Sequence, residues 1–341
     1  MEKCHAQFKT KKEHKALFVF GDSPFDPGNN VYLSGGSKLE TVHWPYGETY
    51  FKHPTGRYSD GRVVPDFIAT FADLPILSPY LQPHPTRFTD GANFASGGAG
   101  VISTRSNPCI DLPTQVRYFK AVVKSLKREL GDIGAKRVLE NAVYLFSIGG
   151  NDYVALHSQN PNTTESYRRA YINQVVSNLT NVFKEVYSQG ARKIAYQNVG
   201  PLGCAPESRV VSTGACAQDL MAMAREHNQV FSEALKKLGS ELPGLRYSIF
   251  DYYNAINDRV NNPVKYGLKE GVTACCGVGP FRGTGCGEAK KFYVCSKPYE
   301  YVWFDSAHQV ERVNGQIAEL IWSAPPDVTG PYNVKQLFGY Q

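Results

Sequence analysis

No stretch of the 341 residues approaches the roughly 18 consecutive apolar side chains that a bilayer-spanning helix needs. No transmembrane segment is expected. The sequence does not open with the charged and apolar regions of a signal peptide, so a secreted form implies a leader already removed. Repeats, linkers and composition breaks are missing as well, which makes residues 16–341 one domain behind a basic, disordered tail of residues 1–15. Charge of one sign is scarce. The net charge is +6, but residues 1–15 hold five lysines against two glutamates, so half of the excess precedes the first apolar run. A nucleic-acid site would need a basic stripe on the folded body, and none is present. No nucleic-acid partner is expected, and a monomer is favoured. With 42% hydrophobic and 20% charged residues, the chain is globular with a substantial core.

Cysteine, by contrast, is plentiful and uneven, with seven of the eight lying beyond residue 100. Cys204 and Cys216 flank one loop, and Cys275, Cys276, Cys286 and Cys295 crowd a second, glycine-rich one. Zinc is the rival reading for the cluster of four. Adjacent Cys275 and Cys276, with no second close pair and no ligand-spaced histidine, fit a zinc site poorly. Disulfides that staple loops suit a secretory-pathway protein better. The glycosylation sequons at Asn162 and Asn178 fit the same compartment, extracellular or vacuolar.

Apolar runs of strand length occur at 16–20, 92–95, 143–148, 193–199 and 246–251. Between them the period turns helical. Val116, Phe119, Val122, Val123, Leu126 and Leu130 share one face, and Gly131 is placed to stop that helix. Tyr171, Val175, Leu179 and Phe183 mark a second, with Gly190 at its end, and 217–239 a third. A shorter helix is expected at 66–71. Repeated strand–helix alternation predicts an α/β fold, a mostly parallel five-stranded sheet with helices on both faces.

Parallel strands bring their carboxyl ends to one rim, where open α/β sheets keep their ligand crevice. Ser23 follows the first strand in Gly21-Asp22-Ser23, Gly98 follows the second, and Asn151 follows the third. Asp305 and His308 come late in the chain, one turn apart if their segment is helical. These signals converge on one crevice. A serine hydroxyl needs a base before it can attack an ester, and histidine titrates in the useful range. His308 is therefore the candidate base for Ser23, and Asp305 the carboxylate that orients its imidazole. A tetrahedral oxyanion needs donors already aimed, and the candidates are the Ser23 and Gly98 N–H groups and the Asn151 amide. Asp22 belongs to the turn behind the nucleophile, not to the triad. His227, His43 and His53 are expected to be structural or exposed. Each piece alone has a plain structural explanation: a tight turn, a helix cap, a surface pair.

As a set the residues resemble the plant GDSL esterase/lipase family. Residues 18–23 and 25–30 are similar to its first block, and 54–62 to the stretch that follows. Residues 93–100 resemble the second block, 147–152 the third, and 305–308 the last. Residues 200–204 and 275–277 are further family stretches, and the likeness runs from about residue 16 to the C-terminus. It implies a three-layer α/β/α, flavodoxin-like SGNH-hydrolase fold. It also implies a serine esterase or lipase with no metal or organic cofactor, acting on a small-molecule acyl ester or lipid. Three features depart from the pattern: Pro24 beside the nucleophile, Gln309 after the histidine, and the order Trp303-Phe304. Pro24 removes a backbone N–H and suits the first turn of a helix.

Three activities follow from this reading. The first is hydrolysis of acyl esters of lipids or plant secondary metabolites through an acyl-enzyme at Ser23. The second is acyl transfer to an alcohol from the same intermediate. The third is a binding or defence protein on this scaffold, whose mark would be a broken triad. Loops 32–90 and 153–165 are expected to shape the pocket.

Overall fold

The apolar run at the start of the chain forms the strand β1 (Leu17–Gly21), every residue of it buried. In this computed structural model, which describes residues 14–83, 87–105, 109–288 and 290–340, β1 sits inside a six-stranded sheet. After helix α1 (Val64–Phe71) come β2 (Gly91–Asn93), α2 (Leu112–Asn141) and β3 (Val143–Ser147). Helices α3 (Gly150–Gln159) and α4 (Glu165–Ser188) lead to β4 (Lys193–Gln197). The short α5 (Pro206–Val211) and the long α6 (Gln218–Glu241) precede β5 (Arg246–Phe250) and α7 (Tyr252–Asn261). A two-stranded ribbon, β6 (Cys276–Gly277) and β7 (Tyr293–Val294), is followed by α8 (Glu311–Ser323), β8 (Thr329–Pro331) and α9 (Val334–Gly339).

The sheet order is β2-β1-β3-β4-β5-β8. The first five strands are parallel and the edge strand β8 runs antiparallel. Right-handed crossovers then decide which face each helix takes. The connection from β1 to β2 runs the opposite way from those through β3, β4 and β5, so α1 lies on one face and α2, α4 and α6 on the other. The contacts agree: α4 packs on α6 and α2, while α1 packs on α8 and α8 on α9. Period-two alternation along β1 feeds these layers. Phe18 and Phe20 both meet Phe119 of α2, and Phe20 stacks on Phe146 of β3 at 4.6 Å.

One sequence expectation needs correction. The sheet has six strands rather than five, because β8, Thr-Gly-Pro, carries no apolar alternation that would mark it as a strand. Gly131 does interrupt its helix: its φ of 70° and ψ of 171° are non-helical, and a second helical segment runs on within α2 to Asn141, burying Ala135, Val138 and Leu139. Of the basic segment 1–15, residues 1–13 lie outside the described residues. His14 and Lys15 are tied to the body through Asp90 and the Ala72 carbonyl.

The cysteines of the two loops pair as Cys204–Cys216, Cys275–Cys295 and Cys276–Cys286. Cys109 has no disulfide partner among the described residues. No helix among them is long and apolar enough to cross a membrane.

Candidate active site

β1 delivers the serine. Gly21 closes the strand where a side chain has no room: a Cβ there would lie 2.3 Å from the Ser147 carbonyl oxygen of β3. The buried amide of Gln115, on α2, brackets this residue, accepting from the Gly21 N–H and donating to its carbonyl at 2.9 and 2.8 Å. The Asp22 N–H then donates to the Ser147 carbonyl, and the chain turns, leaving Ser23 half-buried at the carboxyl edge of the sheet. Pro24 lies in this turn and starts no helix.

The stretch after β2 is fixed by residues 26–30. Asp26 accepts from the N–H groups of Gly28 and Asn29 through one oxygen and from Gly97 through the other. Asn29 donates to the carbonyls of Asn93 and Ala95, and Asn30 to that of Gly97. The two sequence blocks therefore grip each other directly. Beyond them Gly98 takes a positive φ of 83°. Its N–H and that of Ser23 have no hydrogen-bond partner among the described residues.

From β3, Gly149 with φ 116° turns the chain into α3. Asn151 at the start of that helix donates to the Ala99 carbonyl at 2.8 Å and to Asp22 Oδ2 at 3.2 Å. The carboxylate of Asp152 accepts from the N–H groups of Val101, Ile102 and Ser103, holding the loop beyond Gly98.

Asp305 and His308 arrive on a tight turn, not on a helix. The backbone pairs Trp303 with Gln309, and the Phe304 N–H donates to the His308 carbonyl at 2.7 Å. Asp305 Oδ1 accepts from the N–H groups of Ala307 and His308, so the side chain itself organises the turn. The disulfide-bonded Cys275 and Cys276 donate their N–H groups to the carbonyls of Trp303 and Phe304, bracing the approach to Asp305. The residues that depart from the family pattern are anchored as well. The Trp303 indole donates to the Gly271 carbonyl, and Gln309 accepts from the Tyr252 hydroxyl.

The three side chains meet. His308 Nδ1 lies 2.8 and 2.9 Å from the two Asp305 oxygens, and Nε2 lies 2.7 Å from Ser23 Oγ. Facing a carboxylate, Nδ1 carries the ring proton, which leaves Nε2 to accept from the serine hydroxyl. Tyr46 donates to Asp305 Oδ2 at 2.9 Å. Burial opposes charge on both partners, yet their mutual attraction prevails. Asp305 lies below the usual carboxylate range and His308 above the usual histidine value. Asp22 moves the other way, burial lifting it to about 8 against the pull of His308. Its Oδ1 is buried with no hydrogen-bond partner among the described residues.

A cleft of about 740 Å³, continuous with solvent, opens over Ser23 and His308. Ile148, Val154, Val199, Leu202, Ala205 and Ile256 form its apolar wall. None of its lining comes from 32–90, and of 153–165 only Val154 takes part. The expected loops yield to segment 198–207 and α7. The expectation failed because 32–90 folds down as clamp and support, through Tyr46 and Arg57, instead of standing over the crevice. Tyr46 and Gln115, isolated polar side chains buried beneath the site, carried no sequence signal. His43 and His53 are exposed, and His227 is buried between Tyr153 and Tyr196.

The sequence profile described as GDSL-like Lipase/Acylhydrolase matches residues 17–321. The chain belongs to this family. GDSL esterase/lipase 1 of Arabidopsis thaliana is 47% identical over 335 residues, covering 95% of this chain and 90% of that protein. A GDSL lipase of Tanacetum cinerariifolium is 45% identical over 332 residues, with 96% and 89% covered. This GDSL protein is a hydrolytic enzyme acting on esters.

Proposed function

We propose that this enzyme cleaves carboxylic esters by a two-step serine mechanism. The observation that carries the reading is the continuous chain from Ser23 Oγ through the His308 ring to Asp305, closed at 2.7 Å and 2.8 Å. His308 takes the hydroxyl proton as Ser23 attacks the ester carbonyl, and returns it to the leaving alcohol. The carbon–oxygen bond to the alcohol breaks as the acyl–serine bond forms. Water, deprotonated by the same imidazole, then releases the acid. Asp305 holds the tautomer and stabilises the imidazolium.

The N–H groups of Ser23 and Gly98, unpaired among the described residues, support their role as oxyanion donors. The Asn151 amide is the third donor, and it must loosen one of its two present bonds. The longer bond, to Asp22 at 3.2 Å, is the one that yields. Loss of one such donor typically costs about 2.7–4 kcal/mol of transition-state stabilisation. No step of this mechanism calls on a metal or organic cofactor.

The apolar wall of the cleft supports acyl esters of lipids or of apolar plant metabolites as substrates. Three disulfides, with Asn162 and Asn178 both exposed, support a secretory-pathway location. The test is hydrolysis of p-nitrophenyl esters of graded chain length by wild type and Ser23→Ala. Serine-dependent release with a chain-length optimum is expected; Ser23→Ala turning over near the wild-type rate would refute the assignment. A competing alcohol in the same assay decides how the acyl-enzyme resolves. Ester exceeding free acid would make the protein an acyltransferase.

A further inference from the structure

Arg105 and Glu207 are the pair of opposite charges that faces each other in the cleft wall. The guanidinium holds the carboxylate through two parallel bonds, Nη1 to Oε1 and Nη2 to Oε2, each 2.8 Å. Both residues are anchored to the catalytic loops. The Arg105 N–H donates to the Gly98 carbonyl at 2.8 Å, and the Glu207 N–H donates to the Ser306 carbonyl at 3.0 Å. The bridge therefore joins the Gly98 loop to the turn between Asp305 and His308. Among the residues lining the cleft, Arg105 is the single lysine or arginine.

A fork of two guanidinium N–H groups is the shape that recognises a carboxylate. Here the carboxylate is supplied from within. An ion pair this open to water adds little to stability, so folding alone accounts poorly for it. Its effect on the cleft is larger. Unpaired, Arg105 would draw anionic substrates to the mouth of the site; paired, its Nη1–Nη2 fork is occupied and its charge is offset by the carboxylate.

We propose that Glu207 is a specificity-determining residue, which masks Arg105 as a carboxylate subsite and so reserves the cleft for uncharged esters. The proposal rests on the ester-hydrolase reading of the same cleft. It predicts that neutralising Glu207 turns the enzyme toward esters bearing a free carboxylate, and that this gain requires Arg105.

The experiment compares matched pairs of p-nitrophenyl esters with acyl chains of four to eight carbons. One member ends in methyl and the other in carboxylate, as in hexanoate and the adipate half-ester. For each variant the ratio of kcat/KM, acid-bearing over neutral, cancels any difference in active fraction. Glu207→Gln should raise the ratio on the order of tenfold for at least one chain length at low salt, and about 1 M salt should remove most of the gain. Arg105→Gln combined with Glu207→Gln should return it to the wild-type value. An unchanged ratio in Glu207→Gln at every chain length overturns the proposal. So does an equal rise in the double variant, which would assign the effect to repulsion by Glu207 alone. If the wild type hydrolyses none of the neutral esters, the acyl-enzyme reading falls, and the masking proposal with it.

Discussion

Asp305 lies at the centre of the proposed chemistry at the residue scale, because its two oxygens serve four donors: the His308 ring, two backbone N–H groups and the Tyr46 hydroxyl. Replacing it with asparagine keeps the size but lets Nδ1 face an amide, so the wrong tautomer becomes available. Asp305→Asn is expected to lower kcat on the order of 10³–10⁴-fold. The acid limb of the kcat/KM profile gives a second readout. In the proposed mechanism His308 is a base only when neutral, and Asp305 raises its pKa. Activity in wild type should therefore fall, as pH drops, around a midpoint above the ordinary histidine value. In Asp305→Asn that midpoint should move down. Tyr46→Phe leaves the carboxylate with one donor fewer, a loss of about 1.5–3 kcal/mol for a bond to a charged group. Its stability in denaturant should fall accordingly, whereas an unchanged midpoint would show the bond to be idle.

At the scale of elements, the turn carrying Asp305 and His308 is held from behind by the disulfide ribbon. Removing the Cys276–Cys286 bridge with a pair of alanines is expected to cost about 2–4 kcal/mol of stability. It should lower kcat more than it raises KM, since the loosened turn misplaces His308 while the apolar wall is untouched. Equal kcat with a lower Tm would confine the bridge to a stability role. The same elements show what the sequence discloses. Strands such as 143–147 are legible because continuous burial demands continuous apolar side chains. Ser23, Gly98 and Asn151 are legible because parallel strands put their ends on one rim. What escapes is set by distant pairing. Asp305-x-x-His308 suits a helical spacing, yet the carboxylate bonds its own backbone and makes a turn. β8 exists because its backbone pairs with β5, whatever its side chains. The walls of the cleft depend on which loops stand up from the sheet and which fold down, and no local pattern records that.

Across the whole molecule, buried carboxyl groups tie stability to pH. Burial lifts Asp26 and Asp60 to about 6 and Asp22 to about 8. Each raised group keeps its proton in the native state above pH ~4, where the unfolded chain has released it. Their contribution is full below that pH and is lost as pH rises through the folded values. His227, buried and held down to about 3, works in the opposite sense between its folded value and about 6.5. A substitution separates them. Asp22→Asn mimics the protonated acid, so its Tm relative to wild type should climb as pH rises from about 5 to 8; a constant difference would mean that Asp22 titrates normally. The central claim concerns one serine, and the most direct measurement is peptide mass spectrometry after reaction with a fluorophosphonate. One adduct per chain is expected, on the peptide bearing Ser23, absent in Ser23→Ala and formed far more slowly in His308→Ala. No adduct, an adduct on another residue, or labelling indifferent to His308 would contradict the account.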